Sequence, residues 1–149
     1  MQGSDVPQSS LAFHLAVAVN DLDEARRFYR DLLGCREGRS SEGWADFDFF
    51  GHQLSLHLAA PVAGASPSGT AGNVDGKHVD IPHFGVILDR PDFDALVARL
   101  QHRGVAFVSP PTTRFPKLRG EQSSFFLRDP GGNTLEFKTF RHSDQLFDG

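Results

Sequence analysis

A single cysteine, Cys35, stands in this chain of 149 residues, so no internal disulfide can form. That argues against a stapled secreted scaffold and suits a reducing compartment. No apolar run approaches the roughly 18–20 residues that a membrane-spanning helix needs. Basic charge is short as well: 15 Lys and Arg against 19 Asp and Glu give a net charge of −4. Nucleic-acid binders usually carry a basic footprint, so neither nucleic acid nor membrane is an expected partner. The opening MQGSDVPQSS lacks a basic start followed by an apolar run, and is read as a flexible lead rather than a secretory signal. A cytoplasmic protein is expected. Tyrosine and tryptophan occur once each, against 14 phenylalanines, so the core is expected to be built on Phe.

What is present falls into a repeated order. LAFHLAVAVN, from Leu11 to Asn20, reads as a strand. DLDEARRFYRDLLG reads as a helix: Asp21 and Glu24 have capping-box spacing, Leu22, Ala25, Phe28, Tyr29, Leu32 and Leu33 share a face, and Gly34 ends it. Trp44–Phe50 and Gly51–Ala59 read as two strands. Ala60–Pro82 is rich in Gly, Ser, Pro and Ala and reads as a connection or flap. The order then recurs: strand His83–Asp89, a helix with Pro91 near its start and Gly104 after its end, and a short strand followed by a Pro-rich loop in VAFVSPPTTRF. Strand SSFFLRD, turn PGGN and strand TLEFKTF follow. Two pseudo-symmetric halves are expected to bury a common surface.

Three polar residues interrupt these strands. His14 and His83 hold equivalent places near the start of each half, and side chains alternate along a strand. His14 therefore faces with Ala16 and Ala18, and His83 with Gly85 and Ile87. Glu136 lies opposite Leu135 and Phe137 in the last strand. If those two pack under a helix, Glu136 shares the interior with both histidines. Two imidazoles and one carboxylate make a facial triad with open positions. That set suits Fe(II) first, with Mn(II), Ni(II), Co(II) or Zn(II) as alternatives. Cys35 has no partner base in view and is read as structural.

FHLAVAVNDLDEARRFYRDLLGC resembles the opening strand and helix of the vicinal oxygen chelate superfamily, and HFGVILDRPDFDALVARLQHRG resembles the same unit in a second half. FFLRDPGGNTLEFK resembles its closing hairpin. The resemblance runs from about Leu11 to Phe140. That superfamily includes glyoxalase I, extradiol dioxygenases, fosfomycin resistance enzymes and bleomycin resistance proteins. It implies an α+β fold of two βαβββ modules, forming a curled mixed sheet around a metal cavity. It places the metal ligands on His14, His83 and Glu136, and implies a homodimer. In glyoxalase I-like members, the last strand of the first half supplies a second acidic ligand. Here the matching residue is Ser55, flanked on its face by Gln53 and His57, and that strand offers no carboxylate. This weighs against glyoxalase chemistry and towards the three-ligand dioxygenases. Bleomycin resistance proteins, which lack the triad, are the non-catalytic alternative.

The expected organisation is a lead over 1–10, a first module over 11–59, a connection over 60–82, a second module over 83–140 and a tail over 141–149. The expected activity is dioxygenase-like, on a small oxygen-chelating and possibly aromatic substrate. A glyoxalase-like lyase or isomerase and a non-catalytic small-molecule binder are the alternatives. His57 is the candidate acid–base group, since imidazole titrates near about pH 6.5. Gln53, Ser55, Arg114 and Arg119 are the candidate substrate-binding residues, the two arginines through an anionic group.

Overall fold

A computed structural model describes residues 11–59, 70–74 and 77–147. The expected lead and segments 60–69 and 75–76 of the expected connection lie outside the described residues. The chain divides into two units, Met1–Ala60 and Pro61–Gly149.

The first unit runs β1 (His14–Val19), α1 (Leu22–Arg26), β2 (Arg36–Ser40), β3 (Trp44–Phe49) and β4 (His52–Leu58). Its sheet order is β1-β4-β3-β2, with β4 parallel to β1 and antiparallel to β3. The Asp21 carboxylate accepts from the Glu24 amide at 3.0 Å and so starts α1. The helix continues into a π-helical stretch, Arg27–Leu32, where the Leu33 amide reaches back to the Phe28 carbonyl. It ends at Gly34, whose φ of 81° is left-handed, and the Cys35 amide closes onto the Tyr29 carbonyl. Period-two alternation decides the rest. Val19, Leu54, Leu56, Ala45, Phe47 and Phe49 are buried on one face with Leu22, Ala25, Phe28, Tyr29 and Leu33 of the helix. Tyr29 meets Phe47 and Phe49 at ring separations of 5.9 and 6.4 Å.

The second unit opens with a two-stranded hairpin, β5 (Thr70–Val74) and β6 (Lys77–Ile81), inside the stretch expected as a connection. It continues β7 (Phe84–Ile87), α2 (Arg90–His102), β8 (Ser109–Arg114), β9 (Gln122–Arg128) and β10 (Thr134–Phe140). The sheet order β7-β10-β9-β8 repeats that of the first unit. Asp89 caps α2 by accepting from the Asp92 amide. Phe93, Leu96 and Leu100 are buried beneath α2, and Phe125 meets the rings of both Phe93 (5.4 Å) and Phe137 (5.2 Å). Burying such side chains contributes about 1.5–3 kcal/mol each. The β9–β10 turn is held by buried Asp129, which accepts from the amide and side chain of Asn133.

Each unit is therefore a βαβββ module, and the fold is α+β with two four-stranded mixed sheets. Two expectations shift. The polar strand β2 carries no alternation that marks it in the sequence. The strand expected from Val105 begins instead at Ser109 and passes through Pro110 and Pro111. Proline cannot donate to a ladder, but β8 is an edge strand with a register shift between Ser109 and Thr112, where that loss is tolerated. Among the described residues no helix is long and apolar enough to cross a membrane.

Candidate metal and substrate site

In the second unit the face of the sheet opposite α2 carries the polar residues. Strand β10 buries Leu135 and Phe137 under the helix and turns Thr134, Glu136 and Lys138 to the other side. Register puts Glu136 beside Gly85 of β7 and Phe126 of β9. The Glu136 carboxylate is only 5% exposed. A charge so buried needs a partner. It has two candidates: the Lys138 ammonium lies 3.1 Å from Oε1, and the His83 Nε2 lies 3.8 Å from the same oxygen.

His83 sits immediately before β7, and its ring is oriented from behind. Nδ1 lies 2.6 Å from the Asp80 carbonyl oxygen. A carbonyl can only accept, so Nδ1 carries the hydrogen, and in the neutral ring Nε2 carries the lone pair. Phe126 meets the ring edge-on at 5.2 Å. Asp80 is itself tied down, since its carboxylate accepts from Arg128 and from Thr134 Oγ1, the latter at 2.8 Å. The result is an imidazole lone pair and a buried carboxylate on one cleft, lined also by Gly85, Ile87 and Lys138. Two electron-pair donors with a gap between them suit a divalent cation, and a ring nitrogen fixed by a carbonyl is the usual companion of a ligating histidine.

The first unit presents a matching polar face. His14, Ala16 and Ala18 lie in register with Gln53, Ser55 and His57, and these with Asp48, Asp46 and Trp44. His14, Gln53 and His57 are exposed, whereas Ser55 is buried. Ser55 Oγ donates to Asp46 Oδ1 at 2.6 Å, and Gln53 Nε2 donates to Oδ2 at 3.2 Å. Strand β4 has no carboxylate, as its sequence says, but Asp46 on the neighbouring strand supplies one to the same face. The alternation of WADFDFF, which sets Trp44, Asp46 and Asp48 against Phe47 and Phe49, was the signal that points to it.

Arg114 is the last residue of β8 and half-buried; Arg119 is exposed in the loop beyond. In that loop a hydrogen bond from the Lys117 amide holds the Glu121 carboxyl below the usual carboxylate range, with Arg141 adding to it. Burial pushes the Cys35 thiol up to about 12, and Asp48 adds to the effect. Among the described residues no three His, Cys, Asp or Glu side chains gather as a metal-binding group. The pair on the second unit is His83 with Glu136, and His14 belongs to the first unit.

A module repeated with one strand order, each bearing a polar sheet face opposite its helix, defines a class of paired βαβββ proteins. Residues 12–137 match the model of the Glyoxalase/Bleomycin resistance protein/Dioxygenase superfamily, and the chain belongs to that family. It is 34% identical to a glyoxalase/bleomycin resistance protein/dioxygenase from Alicyclobacillus acidocaldarius, with a TM-score of 0.77 over 93% of this chain and 98% of that one. The fosfomycin resistance protein FosX from Listeria monocytogenes shares the fold at 15% identity and a TM-score of 0.63, covering 91% of this chain and 97% of that one. FosX from Mesorhizobium loti does so at 20% identity and a TM-score of 0.59, covering 92% and 98%.

Proposed function

We propose that this chain is a metal-dependent enzyme acting on a small substrate that offers neighbouring oxygens to a divalent ion. Dioxygenase-like chemistry with Fe(II) is the leading reaction. The observation that carries the proposal is the His83–Glu136 pair: an imidazole held with its lone pair towards a buried carboxylate 3.8 Å away. His14, at the equivalent strand start of the other unit, is the third ligand in this proposal. A cytoplasmic homodimer belongs to the same proposal.

Bound there, the ion would supply Lewis-acid and one-electron chemistry to the substrate oxygens. The chain's own residues do the rest. Asp80 fixes the His83 ring, and Phe126 walls the ring on its edge. Glu136 contributes the negative charge that selects a cation. His57, on the polar face of the first unit, is the candidate proton carrier. Gln53 and Ser55 hold Asp46 in place, and Arg114 and Arg119 remain candidates for the substrate side.

Asp46 favours a second reading. A carboxylate held by two donors on the face that carries His14 is suited to taking a proton from carbon beside a carbonyl, as a glyoxalase-like lyase or isomerase requires. The two readings separate experimentally. Elemental analysis of protein purified without oxygen or a histidine tag is expected to find about one equivalent of iron per chain. Turnover of catechols should then require oxygen and survive Asp46→Asn. Nickel or zinc, with oxygen-independent turnover abolished by Asp46→Asn, selects the lyase instead. No metal, none taken up on titration, and ligand binding that survives chelation would leave a sequestering protein and overturn both.

A further inference from the structure

A second cleft opens on the same sheet face as Glu136, on its β8–β9 side. It is lined by Val79, Asp80, Val108, Ser109, Arg114, Phe126 and Thr134. Its charges do not cancel. Asp80 is already met by Arg128 and by the Thr134 hydroxyl. Arg114 is different: among the described residues nothing forms an ion pair or side-chain hydrogen bond with its guanidinium. The other arginines of this sheet region are engaged, Arg128 with Asp80, Arg141 with Glu121 and Arg90 with Asp94. A half-buried, uncompensated guanidinium beside apolar walls asks for an anion that brings its own hydrocarbon.

We infer that this cleft is an anion subsite in which Arg114 pairs the carboxylate of a small organic acid whose apolar body packs on Val79, Val108 and Phe126. The planar fork of arginine matches a carboxylate through two parallel hydrogen bonds. One cation with one nearby hydroxyl, Ser109, suits a monoanion better than a phosphate dianion, which would call for more positive charge. Phe126 links this cleft to the candidate metal site, since its ring also meets His83 at 5.2 Å. A substrate lying across Phe126 would place its carboxylate at Arg114 and its chelating oxygens towards His83 and Glu136. That last step rests on the proposed function; the subsite itself does not.

The test is therefore run on protein stripped of metal and kept in chelator, so that a missing metal site leaves the outcome untouched. Benzoate is titrated calorimetrically, with benzamide as the neutral match in shape. Benzoate is expected to bind, benzamide to bind at least about tenfold more weakly, and Arg114→Gln to weaken benzoate by a similar factor. A measurement needing no variant runs beside it. Benzoate should protect Arg114 from phenylglyoxal, read by peptide mass spectrometry, while exposed Arg119 still reacts. Equal affinity for benzoate and benzamide, unchanged binding in Arg114→Gln, no binding of benzoate, or unprotected Arg114 each overturns the subsite.

Discussion

Gly85 lies hard against the main chain of Glu136: a Cβ placed on Gly85 would fall 1.5 Å from the Glu136 carbonyl oxygen. The obstacle is backbone in a paired strand, which cannot swing aside. Gly85→Ala must therefore push β7 off β10 and move Glu136 with it. The expected loss is at least about 4 kcal/mol, at the upper end of single substitutions. Urea unfolding checks this, and an alanine variant within about 1 kcal/mol of the parent would contradict it.

Removing the charge of Glu136 tests the site directly. Glu136→Gln keeps the shape but takes away the anionic donor facing His83. Metal affinity, measured by competition with a chromophoric chelator, should fall about 100-fold or more. A variant that holds metal as tightly as the parent would remove Glu136 from the ligand set.

Lys138 should act in the opposite direction. Its ammonium, 3.1 Å from Glu136 Oε1, occupies the carboxylate and repels any incoming cation. Lys138→Met is expected to raise metal affinity by about three- to tenfold at low salt, with the gain shrinking as salt screens the half-exposed ammonium. The same chelator competition at two ionic strengths reads it. Weaker metal binding in Lys138→Met would mean that Lys138 supports the site instead of competing for it.

Cys35 predicts a pH effect remote from the site. Its thiol ordinarily ionises at 9.0, and burial first and Asp48 second push it up to about 12 in the fold. The unfolded chain therefore loses this proton before the folded one. The stability tied to it is intact below 9.0 and drains away as pH rises towards about 12. Cys35→Ala should flatten that alkaline slope in denaturant titrations. A thiol reagent should label native Cys35 only on unfolding; rapid labelling of the folded protein at neutral pH would contradict the buried, protonated thiol.

The sequence marks most clearly what repeats at short range. Asp21 before Glu24 announces the first helix start and Pro91 the second, and the phenylalanine alternation announces β3 and β10. Strand β2 escapes because REGRS is polar on both faces and carries no apolar alternation. Strand β8 escapes because its prolines argue for a loop, and only an edge position with a bulge makes them tolerable. At the candidate site, the faces of His83 and Glu136 follow from strand alternation. The hydrogen bond from His83 to Asp80 and the link from Ser55 to Asp46 do not, because they depend on register between strands. Asp46 was legible as an alternating residue but not as the partner of β4.

Asp80 carries two attachments that pull on different things. Its carbonyl sets the azimuth of the His83 ring, and its carboxylate anchors the end of β6 to Arg128 and Thr134. The same residue lines the cleft beside Arg114. A guest that crowds that cleft would therefore press on the residue that orients the imidazole, so the aim of the Nε2 lone pair depends on contacts outside the candidate metal cleft.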